Sequence, residues 1–238
     1  MLNLVLLPGW GISADCLQPL AEALQQRLPK AQLQILPLPR FTQPNLAHAL
    51  TELQEQLPST PWLIGWSLGG MLALQLTQQL PIAGVITIAS NACFTQRPDW
   101  PWAMAQEDFA AFQQGCAAQL TSTLKRFSLL CSQGADNPRQ LAKQLLPFKQ
   151  TPEQASHGLG LLQQLDNRQL LAQLAVPQLH ILAQQDALVP LACSSALQQL
   201  AHQAHIATFN GSHALVMEQP AALATRMAHF IREADDAE

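Results

Sequence analysis

One α/β domain is the fold class this sequence predicts: a mostly parallel sheet with helices on both faces and an inserted helical lid. Three observations predict it. Short apolar runs alternate with stretches of helical spacing through residues 1–97. The alternation breaks over residues 98–174, where helical segments follow one another. It then resumes through residues 175–238. Strand–helix alternation argues for parallel strands joined by crossover helices. With 238 residues, 48% of them hydrophobic, the chain can fill one sizeable core.

Residues 2–7 read as a buried strand that ends at Pro8-Gly9-Trp10-Gly11. A helix follows, capped by Ser13 or Asp15, with Leu17, Leu20, Ala21, Leu24 and Leu28 as its apolar stripe. Residues 31–36 are the second strand, and residues 45–57 resume helical spacing after a Pro-rich loop. Residues 61–66 are the third strand, followed at once by Ser67 and a helix over residues 68–80. Residues 84–89 are the fourth strand. After the insertion, 178–182 is a strand, 190–200 a helix, 205–209 a short strand and 214–232 the last helix.

Composition excludes several classes. Charged residues make up only 12%, and 32 glutamines solvate many polar helix faces in their place. A net charge of −4 argues against a general nucleic-acid binder. Cys16, Cys93, Cys116, Cys131 and Cys193 are scattered and odd in number, with no C-x-x-C. They suggest reduced thiols in a cytoplasmic protein, not a disulfide framework or a zinc site. No apolar run reaches membrane-spanning length, and no basic leader precedes the first strand. A soluble monomer without metal, cofactor, membrane or nucleic-acid partner is the expectation.

Gly65-Trp66-Ser67-Leu68-Gly69-Gly70 carries the sharpest chemical signal. It satisfies G-x-S-x-G where that motif has meaning, between a strand and a helix. A serine on so sharp a turn needs small neighbours, which Gly65 and Gly69 supply. The Leu68 N–H then opens the helix, where free donors and the helix dipole favour an oxyanion. A glycine-rich turn without catalysis is the alternative.

A nucleophilic serine needs a base, and the base an orienting acid. In this strand order the acid precedes the histidine. Asp186 follows the strand at 178–182 and His213 follows that at 205–209, so both share the rim of Ser67. His48, His157, His202 and His229 fall in helices or the insertion, His180 lies inside a strand, and His205 opens one at the wrong end. Asp166 is the rival acid, set in a helical stretch. Backbone N–H of Trp10 is placed to complete the oxyanion hole; Pro8 has no N–H to offer.

Within the insertion, Leu120, Leu124, Phe127 and Cys131 recur at helical spacing, either as an acyl pocket or as core. Between residues 109 and 151 lie Lys125, Arg126, Arg139, Lys143 and Lys149 against Asp136 alone. That excess suits either an acidic partner or a solvated face.

The chain resembles an α/β-hydrolase and, more narrowly, the pimeloyl-[acyl-carrier protein] methyl ester esterase family of biotin synthesis. The resemblance rests on Gly9-Trp10-Gly11, Gly65-Trp66-Ser67-Leu68-Gly69-Gly70, Cys93-Phe94, Asp99-Trp100-Pro101, Arg126-Phe127, Asp186 with Leu188-Val189-Pro190, and His213-Ala214. It spans nearly the whole chain. It implies Ser67 as nucleophile, His213 as base and Asp186 as its orienter. It also implies substrate contacts at Trp10, Leu68, Phe127, Ser128, Leu129, Leu130 and Cys131. The family's basic lid residues, which meet the acyl-carrier protein, fall here at Arg126, Arg139 and Lys143, with Ser122 in place of a further base.

The sequence departs from the family pattern at Pro8, where a histidine is usual. It also lacks the usual N-terminal hairpin, which predicts a sheet short at that edge. The expected activity is hydrolysis of the methyl ester of pimeloyl-acyl-carrier protein through an acyl-enzyme. A general short-chain carboxylesterase or a carbon–carbon bond hydrolase of the same fold is the alternative.

Overall fold

The computed structural model describes residues 1–145, 147 and 149–236. Residues 146 and 148 of the expected insertion, and 237 and 238 of the expected core, lie outside the described residues. Six strands, β1 (Asn3–Leu7), β2 (Gln32–Ile35), β3 (Trp62–Trp66), β4 (Gly84–Ile88), β5 (Gln178–Ala183) and β6 (His205–Phe209), form one sheet in the order β2-β1-β3-β4-β5-β6. Every adjacent pair is parallel. Strands β3, β4 and β5 are buried along their whole length, while the edge strands β2 and β6 are partly exposed. Helices on both faces explain why the central strands read as unbroken apolar runs rather than alternating ones.

Helices α1 (Gln18–Arg27), α2 (Leu46–Gln54) and α3 (Leu68–Leu76) follow the first three strands. Ser13 caps the 3₁₀ turn before α1, and Asn45 caps α2 by accepting the His48 N–H. Between β4 and β5 run α4 (Gln106–Cys131), α5 (Pro138–Gln144), α6 (Pro152–Gln164) and α7 (Arg168–Gln173). Helix α4 is interrupted at Gln119, whose φ of −150° and ψ of 71° are not helical. Thr151 and Gln154 form a reciprocal capping box at the start of α6. Helix α7, expected in the insertion, packs on α3 and on α8 (Cys193–Leu200), beside the sheet.

The last helix differs from expectation. It is two helices, α9 (Leu215–Glu218) and α10 (Pro220–Asp235), separated at Gln219. Proline disfavours helical backbone in the residue before it, and Gln219 has φ −133° and ψ 47°. Helix α3 also stops at Leu76, short of the expected residue 80.

The ends of the insertion are stapled together. Arg168 meets Asp99 through Nη1 at 2.6 Å and Asp166 through Nη2 at 2.6 Å. Asp166, the rival acid, is thereby engaged at the root of the insertion, where the Arg168 hydrogen bond holds its carboxyl down at about 2. The topology sets the site. From β1 the chain steps one way to β2 and then the other way from β3 onward, so the loops leaving β1 and β3 diverge. Ligands bind open α/β sheets in that crevice, at the carboxyl ends of the strands.

Candidate active site

Ser67 sits directly on this crevice. Its φ of 55° and ψ of −120° place a non-glycine residue in strained backbone, which costs roughly 1–3 kcal/mol. The surroundings hold the strain in place. A Cβ on Gly65 would lie 2.3 Å from the Gly69 carbonyl oxygen and 2.3 Å from the Gly70 nitrogen. One on Gly69 would lie 2.4 Å from the Leu7 carbonyl oxygen. Only glycine lets β3, the start of α3 and the end of β1 approach so closely. Ser67 N–H donates to the Ile88 carbonyl at 2.9 Å, and Ser90 Oγ donates to the Ser67 carbonyl at 2.9 Å.

Asp186 and His213 meet each other on the loops that leave β5 and β6. His213 Nδ1 lies 2.9 Å from Asp186 Oδ2 and 3.1 Å from Oδ1. Asp186 Oδ1 also accepts the N–H groups of Leu188 at 2.8 Å and Val189 at 2.9 Å. Both side chains are essentially removed from solvent. A carboxylate that only accepts places the proton on Nδ1 and leaves Nε2 as the basic nitrogen. Trp66, the chain neighbour of Ser67, donates its indole N–H to the His213 carbonyl at 2.8 Å. That bond ties the serine turn to the histidine loop, and sequence reasoning missed it. The only available signal was an indole inside the motif, which needs a partner when buried.

The loop after β1 lies against the serine: a Cβ on Gly9 would stand 3.3 Å from Ser67 Cβ. Trp10 is buried, its indole N–H donates to the Ala155 carbonyl of α6 at 3.3 Å, and its ring meets Phe112 and Phe127 edge-on. Such ring pairs contribute about 0.5–1.5 kcal/mol each beyond the area they bury. Trp10, Phe112 and Phe127 line a cavity of about 570 Å³, together with Phe94, Met104, Leu130 and Leu188. Its size is that of a small-molecule site, and its lining is mostly apolar. Phe112 belongs, with Gln113 and Gln114, to the stretches that carry the family resemblance, but sequence reasoning assigned it no place in the cavity although it lies in helical period with Leu120 and Phe127.

The run from Phe127 to Cys131 divides around α4, because successive helical residues point about 100° apart. Phe127 and Leu130 face the cavity. Ser128 is buried and donates back to the Leu124 carbonyl, while Leu129 is 49% exposed; both line a different groove. Cys131 is fully buried and its carbonyl accepts the Ala214 N–H at 3.0 Å. Leu68 is also fully buried.

The basic residues divide as well. Arg126 lines a small recess that shares Phe112, Phe127 and Leu130 with the main cavity. Arg139 and Lys143, with Lys125 and Lys149, line the groove of about 790 Å³ that holds Leu129. None of these five forms an ion pair among the described residues.

Three of the remaining histidines have other partners. His180 is buried in β5 against Thr87 Oγ1 at 2.7 Å, and burial pushes it down to about 4. His157 bonds the Phe41 carbonyl, and His229 meets Glu233 on α10. Among the described residues no helix is long and apolar enough to cross a membrane.

A family model for the alpha/beta hydrolase fold matches residues 25–220. The biotin biosynthesis bifunctional protein BioHC of Cellvibrio japonicus is 40% identical over 240 residues, covering 95% of this chain and 47% of its own length. The chain thus spans about half of that bifunctional relative. The pimeloyl-[acyl-carrier protein] methyl ester esterase of Xylella fastidiosa is 33% identical over 247 residues, covering 96% of this chain and 94% of its own. An esterase from Exiguobacterium antarcticum superposes with a TM-score of 0.84 at 15% identity, covering 98% of this chain and 92% of that one. That likeness is one of fold.

Proposed function

The chain belongs to the alpha/beta hydrolase fold family, and from that premise we propose that it is a serine carboxylesterase whose substrate is the methyl ester of pimeloyl-acyl-carrier protein. The observation that carries the reading is the pairing of a strained Ser67 at the crevice with a buried Asp186–His213 couple. Ser67 Oγ attacks the ester carbonyl as His213 Nε2 takes its proton. The N–H groups of Trp10 and Leu68 hold the oxyanion, a contribution of about 10²–10³ in rate per donor. The tetrahedral intermediate collapses, and the imidazolium returns the proton to the departing methanol. Water, deprotonated by His213, then attacks the acyl-enzyme, and the imidazolium returns that proton to Ser67 Oγ as the pimeloyl carboxylate leaves, still joined to its carrier. Every group used here is a protein side chain or backbone N–H.

The apolar cavity beside Trp10 takes the acyl chain, with Phe127 and Leu130 as its lid-side wall. Arg126, Arg139 and Lys143 present unpaired positive charge to an acidic carrier. Arg126 is the member nearest the cavity, through its shared recess. Relatives that act on a carrier-bound pimeloyl ester support this partner, and a carrier substrate goes with a cytoplasmic location.

The test is methanol release from the carrier-bound ester beside release from a free short-chain ester. A strong preference for the carrier-bound ester is expected. Charge reversal at Arg126 together with Arg139 lowers kcat/KM for the carrier-bound ester about 10-fold or more relative to the free one, at normal salt. Equal turnover of both esters, with no effect of charge reversal on their ratio, would leave a general short-chain esterase.

A further inference from the structure

The histidine loop is held by a carboxylate that the chemistry above does not use. Glu218, at the end of α9, takes two hydrogen bonds from Ser212 on one oxygen. The Ser212 N–H donates to Oε1 at 2.8 Å and the Ser212 hydroxyl donates to the same atom at 2.5 Å. Ser212 is fully buried, and its Oγ accepts the Ala214 N–H at 3.2 Å. One carboxylate therefore fixes the chain on both sides of His213. Gly211 makes room for it. At φ +150° its backbone favours glycine, and a Cβ there would stand 3.3 Å from Glu218 Oε1 and 2.9 Å from Leu215 Cδ1. The far side of the loop is held by the Trp66 indole on the His213 carbonyl and by the Cys131 carbonyl on the Ala214 N–H.

We propose that Glu218 is a positioning residue for the base: through Ser212 it holds His213 so that Nδ1 stays on Asp186 and Nε2 faces Ser67. Glu218 touches neither substrate nor reacting atoms. Its effect runs through geometry, where a displacement near 1 Å can cost about 10²-fold in rate. Removing the side chain leaves two donors of a buried serine unpaired, and the loop relaxes to satisfy them. A glutamine oxygen can accept both bonds, so acceptor chemistry rather than charge is what the position requires. The inference rests on the Ser67–His213–Asp186 reading.

The experiment compares Glu218→Ala, Glu218→Gln and Ser212→Ala on a p-nitrophenyl butyrate assay, with fluorophosphonate labelling of Ser67 and thermal unfolding of each variant. Glu218→Ala lowers kcat about 30-fold with KM within about twofold, and slows labelling in parallel. The downfield proton resonance of the His213 Nδ1–H, sharp in the parent, broadens. Glu218→Gln recovers all but about threefold of the loss, and Ser212→Ala costs about fivefold in kcat. Adding Ser212→Ala to Glu218→Ala costs little more, because both break one chain of bonds. A folded Glu218→Ala with parental kcat overturns the proposal, as does a loss confined to KM. If Glu218→Ala does not fold, Ser212→Ala decides: parental kcat and a sharp resonance there overturn it. Full turnover by Ser67→Ala would instead sink the triad reading itself, so the two failures are distinct.

Discussion

The sheet and the helical insertion place their functional groups by different means. Ser67, Asp186 and His213 leave strand ends on short loops whose backbone bonds are individually accounted for. The Ser67 N–H is on Ile88, the Asp186 carboxylate is on Leu188 and Val189, and the His213 carbonyl is on Trp66. The cavity wall is set by side-chain packing instead: Phe112 and Phe127 against Trp10, with the indole on α6. Rings that pack edge to face tolerate small shifts better than hydrogen-bonded loops do. On the proposed reading, the core carries reaction and the insertion carries selectivity.

Breaking the core should be the larger effect. Ser67→Ala removes turnover of every ester by about 10⁴-fold or more while leaving thermal unfolding unchanged. Activity and melting curves of the same preparation check both halves. Next comes Gly65→Ala. Its Cβ would meet backbone on α3 at 2.3 Å, which no side-chain rotation relieves. A loss of about 3 kcal/mol or more is expected, seen as a melting temperature lower by about 6–12 °C.

Acid sharpens the comparison. His180, buried in β5, is pushed down to about 4 from 6.5. The unfolded chain takes that proton more readily, so the stability held by neutral His180 is complete above about pH 6.5. It drains as pH falls toward 4, by roughly 3 kcal/mol in all. Asp166 is held at about 2 by Arg168, so the staple of the insertion is complete above the ordinary 3.8 and is lost only as pH falls through about 2. Urea midpoints between pH 7.5 and 4.5 should fall more steeply for the parent than for His180→Gln. Equal slopes would show that other groups set the acid limb.

The smallest effect belongs to the insertion. Phe127→Ala opens the cavity wall and lowers kcat/KM about 10-fold for a seven-carbon acyl ester, mostly through KM, with little change for an acetyl ester. An equal loss on both esters would mean that the insertion holds the triad in place as well as the acyl chain.

Six strands were legible in the sequence to within a residue or two, because the inner ones are short apolar runs and the edge strand β2 alternates polar with apolar residues between turn signals. The serine turn was legible because Gly65 and Gly69 are required by contacts under 2.5 Å. Asp186 and His213 were legible from chain order and from their place after strands. The split at Pro220 was visible in principle, since proline restrains the residue before it, but apolar spacing continued across it. The side of α4 that meets the cavity was not legible. The run of five residues from Phe127 to Cys131 goes all the way round a helix, and only the packing of α4 decides that Phe127 and Leu130 meet the cavity while Ser128 and Leu129 face a second groove.

By itself the sequence determined the strand–helix order and the residue types at the strand ends, because local hydrophobic period and turn chemistry act over a few neighbours. Only the tertiary structure decided which of those residues touch. Trp66 on the His213 carbonyl spans 147 positions, and Trp10 on α6 spans 145. Bonds of that reach depend on how the sheet and insertion close on one another, which no local pattern encodes.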